Sequence, residues 1–99
     1  MIAKLSLPLM LLAASTVAAG DSRPKAGSYG FNWLDPDSPC KKLTDKDLKK
    51  APKCTVSNNA FGIELKSHQC KVDERVEWVV YETAAQCQEA HETMQANGP

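Results

Sequence analysis

Residues 70–87, CKVDERVEWVVYETAAQC, decide how this chain folds. Val76, Trp78 and Val80 alternate with Glu77, Val79 and Tyr81, the period of two that a strand with two distinct faces requires, and Cys70 and Val72 alternate about Lys71 in the same way. Asp73-Glu74-Arg75 between them is a polar connection, so the stretch reads as two antiparallel strands. After Tyr81 the period changes. Thr83, with Gln86 three residues on, has the form of a capping box, and the helix it opens runs over residues 84–96 with Gly98 as its stop. Ala84, Cys87, Ala90, His91 and Met94 share one stripe, while Gln88, Glu89, Glu92 and Gln95 lie outside it.

Working back towards the N-terminus, Cys54 and Val56 alternate with polar neighbours, and Phe61, Ile63 and Leu65 alternate with Gly62 and Glu64. Asn58-Asn59 makes a turn between them. The expectation is three or four antiparallel strands, one face carrying Phe61, Ile63, Leu65, Trp78 and Val80 and covered by the C-terminal helix. Before the strands, Thr44 followed by Asp47 is an N-cap with an acidic first turn, and Lys49 and Lys50 close a short helix over 45–51 that Pro52 stops. Its only strong apolar residues are Leu43 and Leu48, so it depends on tethering by its flanking cysteines. The fold class is α+β: a small disulfide-stapled domain over 40–99 with a short helix, an antiparallel sheet and a C-terminal helix packed on it.

Residues 21–39 contain Gly27, Gly30 and Pro24, Pro36 and Pro39 without sustained periodicity and read as an irregular arm. That arm carries Tyr29, Phe31 and Trp33, three of the chain's six aromatic side chains. Either they fold back onto the core or they form an exposed recognition strip.

The first 20 residues have the form of a secretory signal peptide. Lys4 precedes an apolar stretch from Leu5 to Leu12 and a run of small residues ending in Ala19 and Gly20, after either of which cleavage is expected. The stretch is too short for a membrane span and contains Pro8, so no stable anchor is expected after cleavage. Removal of residues 1–20 leaves 79 of 99, with a thin core for which cross-links matter. Cys40, Cys54, Cys70 and Cys87 supply them, two disulfides worth about 2–4 kcal/mol each in an oxidising compartment. Sequence permits three pairings. Cys40 with Cys54 and Cys70 with Cys87 are favoured because each closes a short loop around one unit.

Charge is balanced at 12 basic against 12 acidic residues, and loss of Lys4 leaves 11 against 12. Lys41, Lys42, Lys46, Lys49, Lys50 and Lys53 are met only by Asp45 and Asp47, whereas Asp73 to Glu92 is acidic apart from Arg75, so the molecule is dipolar. A balanced charge without arginine and aromatic interleaving argues against nucleic acid as partner.

Chemistry is hard to find. No CxxC pair, phosphate-binding glycine loop or cofactor motif occurs, and nothing flanks His68 or His91 to make either a catalytic base. An enzyme is therefore not expected. One metal arrangement is conceivable: His68, Cys70, Cys87 and His91 as an N2S2 zinc or copper site, with Met94 as a further soft ligand, if the thiols stayed reduced. The leading expectation is a non-catalytic periplasmic or secreted module, in the periplasm of a Gram-negative bacterium, without cofactor, that binds another protein or an envelope component. Tyr29, Phe31 and Trp33 are its expected contact residues, with Lys49 and Lys50 as rim charges. A periplasmic soft-metal binder using His68, His91 and Met94 is the alternative.

Overall fold

The computed structural model describes residues 22–97, so the leader and the Gly98 stop lie outside the described residues. In chain order the elements are β1 (Tyr29–Asn32), β2 (Lys41–Lys42), α1 (Asp45–Lys49), β3 (Lys53–Ser57), a 3-10 turn (Ala60–Gly62), β4 (Ser67–Lys71), β5 (Glu77–Tyr81) and α2 (Ala84–Asn97). All strand pairs are antiparallel, in the order β2-β1-β5-β4-β3. The fold is α+β as expected, with five strands where three or four were anticipated.

One unanticipated strand, β1, comes from the segment read as an arm, and the other, β2, lies just after it. Residues 29–32 are not irregular: Tyr29 to Asn32 lie opposite Tyr81 to Trp78, which puts β1 beside β5 near the middle of the sheet. Four residues around Gly30 are too few to display a period of two. The glycine has a packing cause, because a Cβ there would lie 3.0 Å from both Leu43 Cδ1 and the Val79 carbonyl oxygen. Its absence lets Leu43 pack down onto Val80.

Directly opposed residues share a face, so the registers divide the core in two. Phe31, Val79 and Tyr81 face α2 with Cys87 and Ala90, and Phe61, Ile63, Leu65 and Met94 pack around them. Val80 and Cys70 face the other way, against Leu43, Leu48 and Ala51, with Trp78 at the margin. The single apolar face expected from sequence is therefore corrected. Trp78 and Val80 lie on the α1 side, opposite Phe61, Ile63 and Leu65. Those three do not form a strand either; they belong to the turn and loop between β3 and β4, which reach over the α2 face.

Both helix starts follow from their caps. Thr44 accepts from the Asp47 amide at 3.2 Å while Asp47 accepts from the Thr44 amide at 2.9 Å, a complete capping box. At α2, Thr83 Oγ1 accepts from the Gln86 amide at 3.1 Å. The far end of α1 is closed by Arg23, whose guanidinium donates to the carbonyls of Leu48, Ala51 and Pro52 at 3.1, 3.3 and 2.8 Å. A helix of five residues has carbonyls to spare and gains from a cation at its C-terminus.

The disulfides join Cys40 to Cys87 and Cys54 to Cys70, and the favoured pairing is wrong in both members. Proximity in sequence lost to register. Cys54 and Cys70 stand directly opposite each other on β3 and β4, while Cys87 on α2 is joined to Cys40, just before β2 and 47 residues away in sequence. Two disulfides indicate an oxidising, non-cytoplasmic setting. No helix among the described residues is long and apolar enough to cross a membrane.

Candidate interaction surface

β1 ends at Asn32, and the chain then turns out to expose Trp33 and Leu34 at 41% and 40%. Asn32 is 8% exposed and holds that turn to the β4–β5 hairpin. Its Nδ2 donates to the Arg75 carbonyl at 3.0 Å, and its Oδ1 accepts from the amides of Glu77 at 3.0 Å and Leu34 at 3.2 Å. Trp33 itself donates twice to Glu77, from its amide to the main-chain carbonyl at 3.3 Å and from Nε1 to Oε1 at 3.1 Å. The indole is exposed yet fixed.

Across the α2 face stands Phe61. It is the only non-glycine residue with positive φ among those described, at 57°, a conformation rare for a bulky side chain and costing about 1–3 kcal/mol. The turn is held by Gly62 donating to Asn59 at 2.9 Å and Ile63 donating to Ala60 at 3.1 Å. Stacking offsets the strain: the Phe61 ring lies 6.0 Å from that of Phe31, centroid to centroid. Between Trp33 and Phe61 runs a cleft of about 220 Å³, bounded also by Ser57, Ala60, Gln69, Glu77 and Val79. It combines an aromatic flank and an aliphatic floor with an amide, a hydroxyl and a carboxylate, the composition of a site that grips an apolar group and orients it by polar contacts. A larger depression of about 680 Å³ at Val56, Ser57, Asn58, Asn59, Glu64 and Lys66 is mainly polar and formed by the end of β3 and the loop after it.

The expected contact set is not brought together. Phe31 is 0% exposed in the core and is not available to a partner; its ring is also met edge-on by His91 at 5.0 Å. Tyr29 is half-buried against the same cluster. Lys49 and Lys50 belong to α1 and its C-cap, on the sheet face opposite the cleft, so they do not form its rim. Trp33 alone of the five stands at this surface. Phe61 and Glu77 have the sequence pattern of strand residues only, and no local signal ties them, Gln69 or the anchoring Asn32 to Trp33.

The residues of the metal arrangement are not brought together either. Both sulfur pairs are consumed in disulfides. His68 lies opposite Val80, on the α1 face, and its Nδ1 is 2.7 Å from the Ser22 carbonyl oxygen. His91 is buried on α2 beneath the other face, its Nε2 without a hydrogen-bond partner, and Met94 is half-buried there. Among the described residues no three His, Cys, Asp or Glu side chains are grouped to hold a metal ion.

Elsewhere the charges serve the fold. Asp47 sits below the usual carboxylate range, first through its hydrogen bond from the Thr44 backbone and further through Lys41. Lys41 approaches Asp47 at 3.6 Å and lies 5.0 Å from the centre of the Trp78 ring. Burial pushes the Tyr81 phenol up. Comparison with known protein families, curated proteins and solved structures finds no match to this chain.

Proposed function

We propose that this chain is a small, exported, non-catalytic binding module of the bacterial periplasm or cell envelope, and that it engages a protein or envelope component through the Trp33 cleft. One observation carries the reading: Trp33 is held outward by two hydrogen bonds to Glu77, facing a Phe61 whose backbone is strained to complete the other wall. Fixed aromatic surface is an efficient anchor, because little side-chain entropy remains to be lost on contact. The non-catalytic part is supported by the histidines, one bonded to a main-chain carbonyl and one sealed beneath α2. The compartment is supported by the leader and the two disulfides.

The test places a photoreactive side chain at exposed Leu34 in the exported chain, within its native envelope. A discrete adduct that forms from position 34, not from position 50 on the far side, and that Trp33→Ala reduces at least about tenfold, supports the cleft. Equal labelling from both positions, or an adduct indifferent to Trp33→Ala, overturns it.

A further inference from the structure

Among the described residues the outer edge of β3 is open, and its hydrogen-bond phase can be read through the sheet. Val72 donates to the Val76 carbonyl at 2.9 Å. Cys70/Trp78 and His68/Val80 are then the hydrogen-bonded pairs of the β4–β5 ladder, and Gln69 and Lys71 turn their amides towards β3. Lys53, Thr55 and Ser57 accordingly bond to β4. The 4.1 Å between the Cα atoms of Cys54 and Cys70 is the short spacing of a non-hydrogen-bonded pair and agrees. The N–H and C=O groups of Cys54 and Val56 therefore point away from the sheet.

That window is bounded. Pro52 has no N–H and its carbonyl accepts from Arg23, and beyond Ser57 the chain bends at Asn58. Open edges are normally blunted by shortness or charge. The opposite edge obeys this, since β2 is two lysines long. β3 is less protected: it has five residues, its one charge is Lys53 at the start, and it exposes Val56 at 40%.

We propose that this edge pairs with the β3 edge of a second copy of the chain, forming a continuous ten-stranded sheet about a twofold axis at Thr55. Register selects this arrangement. With Thr55 on the axis, Cys54 stands opposite Val56 of the second copy and Val56 opposite its Cys54, so all four outward groups on each strand find partners. Moving the axis to Cys54 sets Val56 against Pro52, and moving it to Val56 sets Cys54 against the bend at Asn58. The side chains suit the same register. Val56 covers its exposed surface beside the Cys54–Cys70 disulfide of the second copy, Thr55 meets Thr55, and Lys53 faces Ser57, with no like charges opposed. With 11 basic against 12 acidic residues after loss of Lys4, the exported chain is close to neutral, and long-range repulsion between copies is small.

Sedimentation velocity of the exported chain tests this from about 10 μM to about 1 mM, the range for an interface of this modest size. A concentration-dependent doubling of mass is expected. Val56→Pro removes an outward N–H without breaking a bond to β4, and Val56→Lys places charge on the edge; each should hold the chain monomeric with unchanged circular dichroism. Thr55→Cys should form an intermolecular disulfide at the axis faster than Lys50→Cys on α1. Trp33→Ala should leave association unchanged, which separates this inference from the cleft. A monomer throughout the range, or dimers that persist in both Val56 variants with no preference for crosslinking at position 55, overturns the proposal.

Discussion

Replacing Phe31 and replacing Trp33 should have opposite consequences, although the two lie two residues apart. Phe31 is fully buried between the Phe61 and His91 rings and packs in the cluster of Val79, Tyr81 and Ala90. Truncating such a side chain to alanine costs about 3–5 kcal/mol. A domain the size of residues 22–97 has roughly 4–11 kcal/mol of net stability, so Phe31→Ala removes much or all of it. Phe31→Leu, which keeps most of the volume, should cost about 1–2 kcal/mol and remain measurable. Trp33→Ala gives up a half-exposed ring and one solvent-facing hydrogen bond, for about 1 kcal/mol or less. Urea unfolding followed by far-ultraviolet circular dichroism reads all three, since Trp33 fluorescence is lost in one of them. A Trp33→Ala cost of about 3 kcal/mol or more, or a neutral Phe31→Leu, would refute the placement of β1 in the sheet.

Three further outcomes follow from the packing and the caps. Proteolytic mapping without reduction should recover Cys40 joined to Cys87 and Cys54 joined to Cys70; with closed loops of 47 and 16 residues, loss of the first should cost about 4 and of the second about 3 kcal/mol in chain entropy. Gly30→Ala should destabilise by about 1–3 kcal/mol in the same urea assay, because the new methyl meets a main-chain oxygen that cannot move aside. The Asp47 carboxyl is depressed in the fold, so its stabilisation is present above its ordinary value of 3.8 and is lost as pH falls through the lower folded value. Acid unfolding of Asp47→Asn should accordingly show a weaker pH dependence in that window than the parent chain, and an unchanged dependence would remove the capping box as its source.

What was legible in the sequence was what local chemistry decides. Thr44 with Asp47 and Thr83 with Gln86 marked both helix starts, since a cap is made within four residues. The alternation over Glu77–Tyr81 found the strand that carries the two cores. Contacts distant in sequence were hidden. β1 is specified by pairing with β5, about fifty residues away, and by a glycine whose role appears only beneath Leu43. Phe61 to Leu65 mimicked a strand because a left-handed residue turns alternate side chains of a loop to the same core. At the cleft, Trp33 was visible as an aromatic without a helix or strand to explain it. Glu77 and Gln69, which give that aromatic a setting, were concealed in alternation that serves the sheet equally well.

The two open features of this small sheet bear on each other. Helices use one part of each face for the core, and what remains is the Trp33 cleft over β4 and β5 and the free edge of β3. Antiparallel pairing at that edge puts directly opposed side chains on the same side. In the dimer proposed above, the α2 faces of both copies consequently lie on one side of the sheet and the two clefts open in the same direction. Val79, on the cleft floor, is separated from its counterpart by five strand spacings, or about 24 Å. A partner repeating its contact at that distance would be held by both clefts at once, and its apparent affinity would exceed that of one cleft by about 10²–10⁴ without any new contact. Val56→Pro would then weaken capture of the repeating partner by that factor while leaving binding of a single-contact fragment unchanged; equal losses for both would show that the edge and the cleft are coupled through the fold instead.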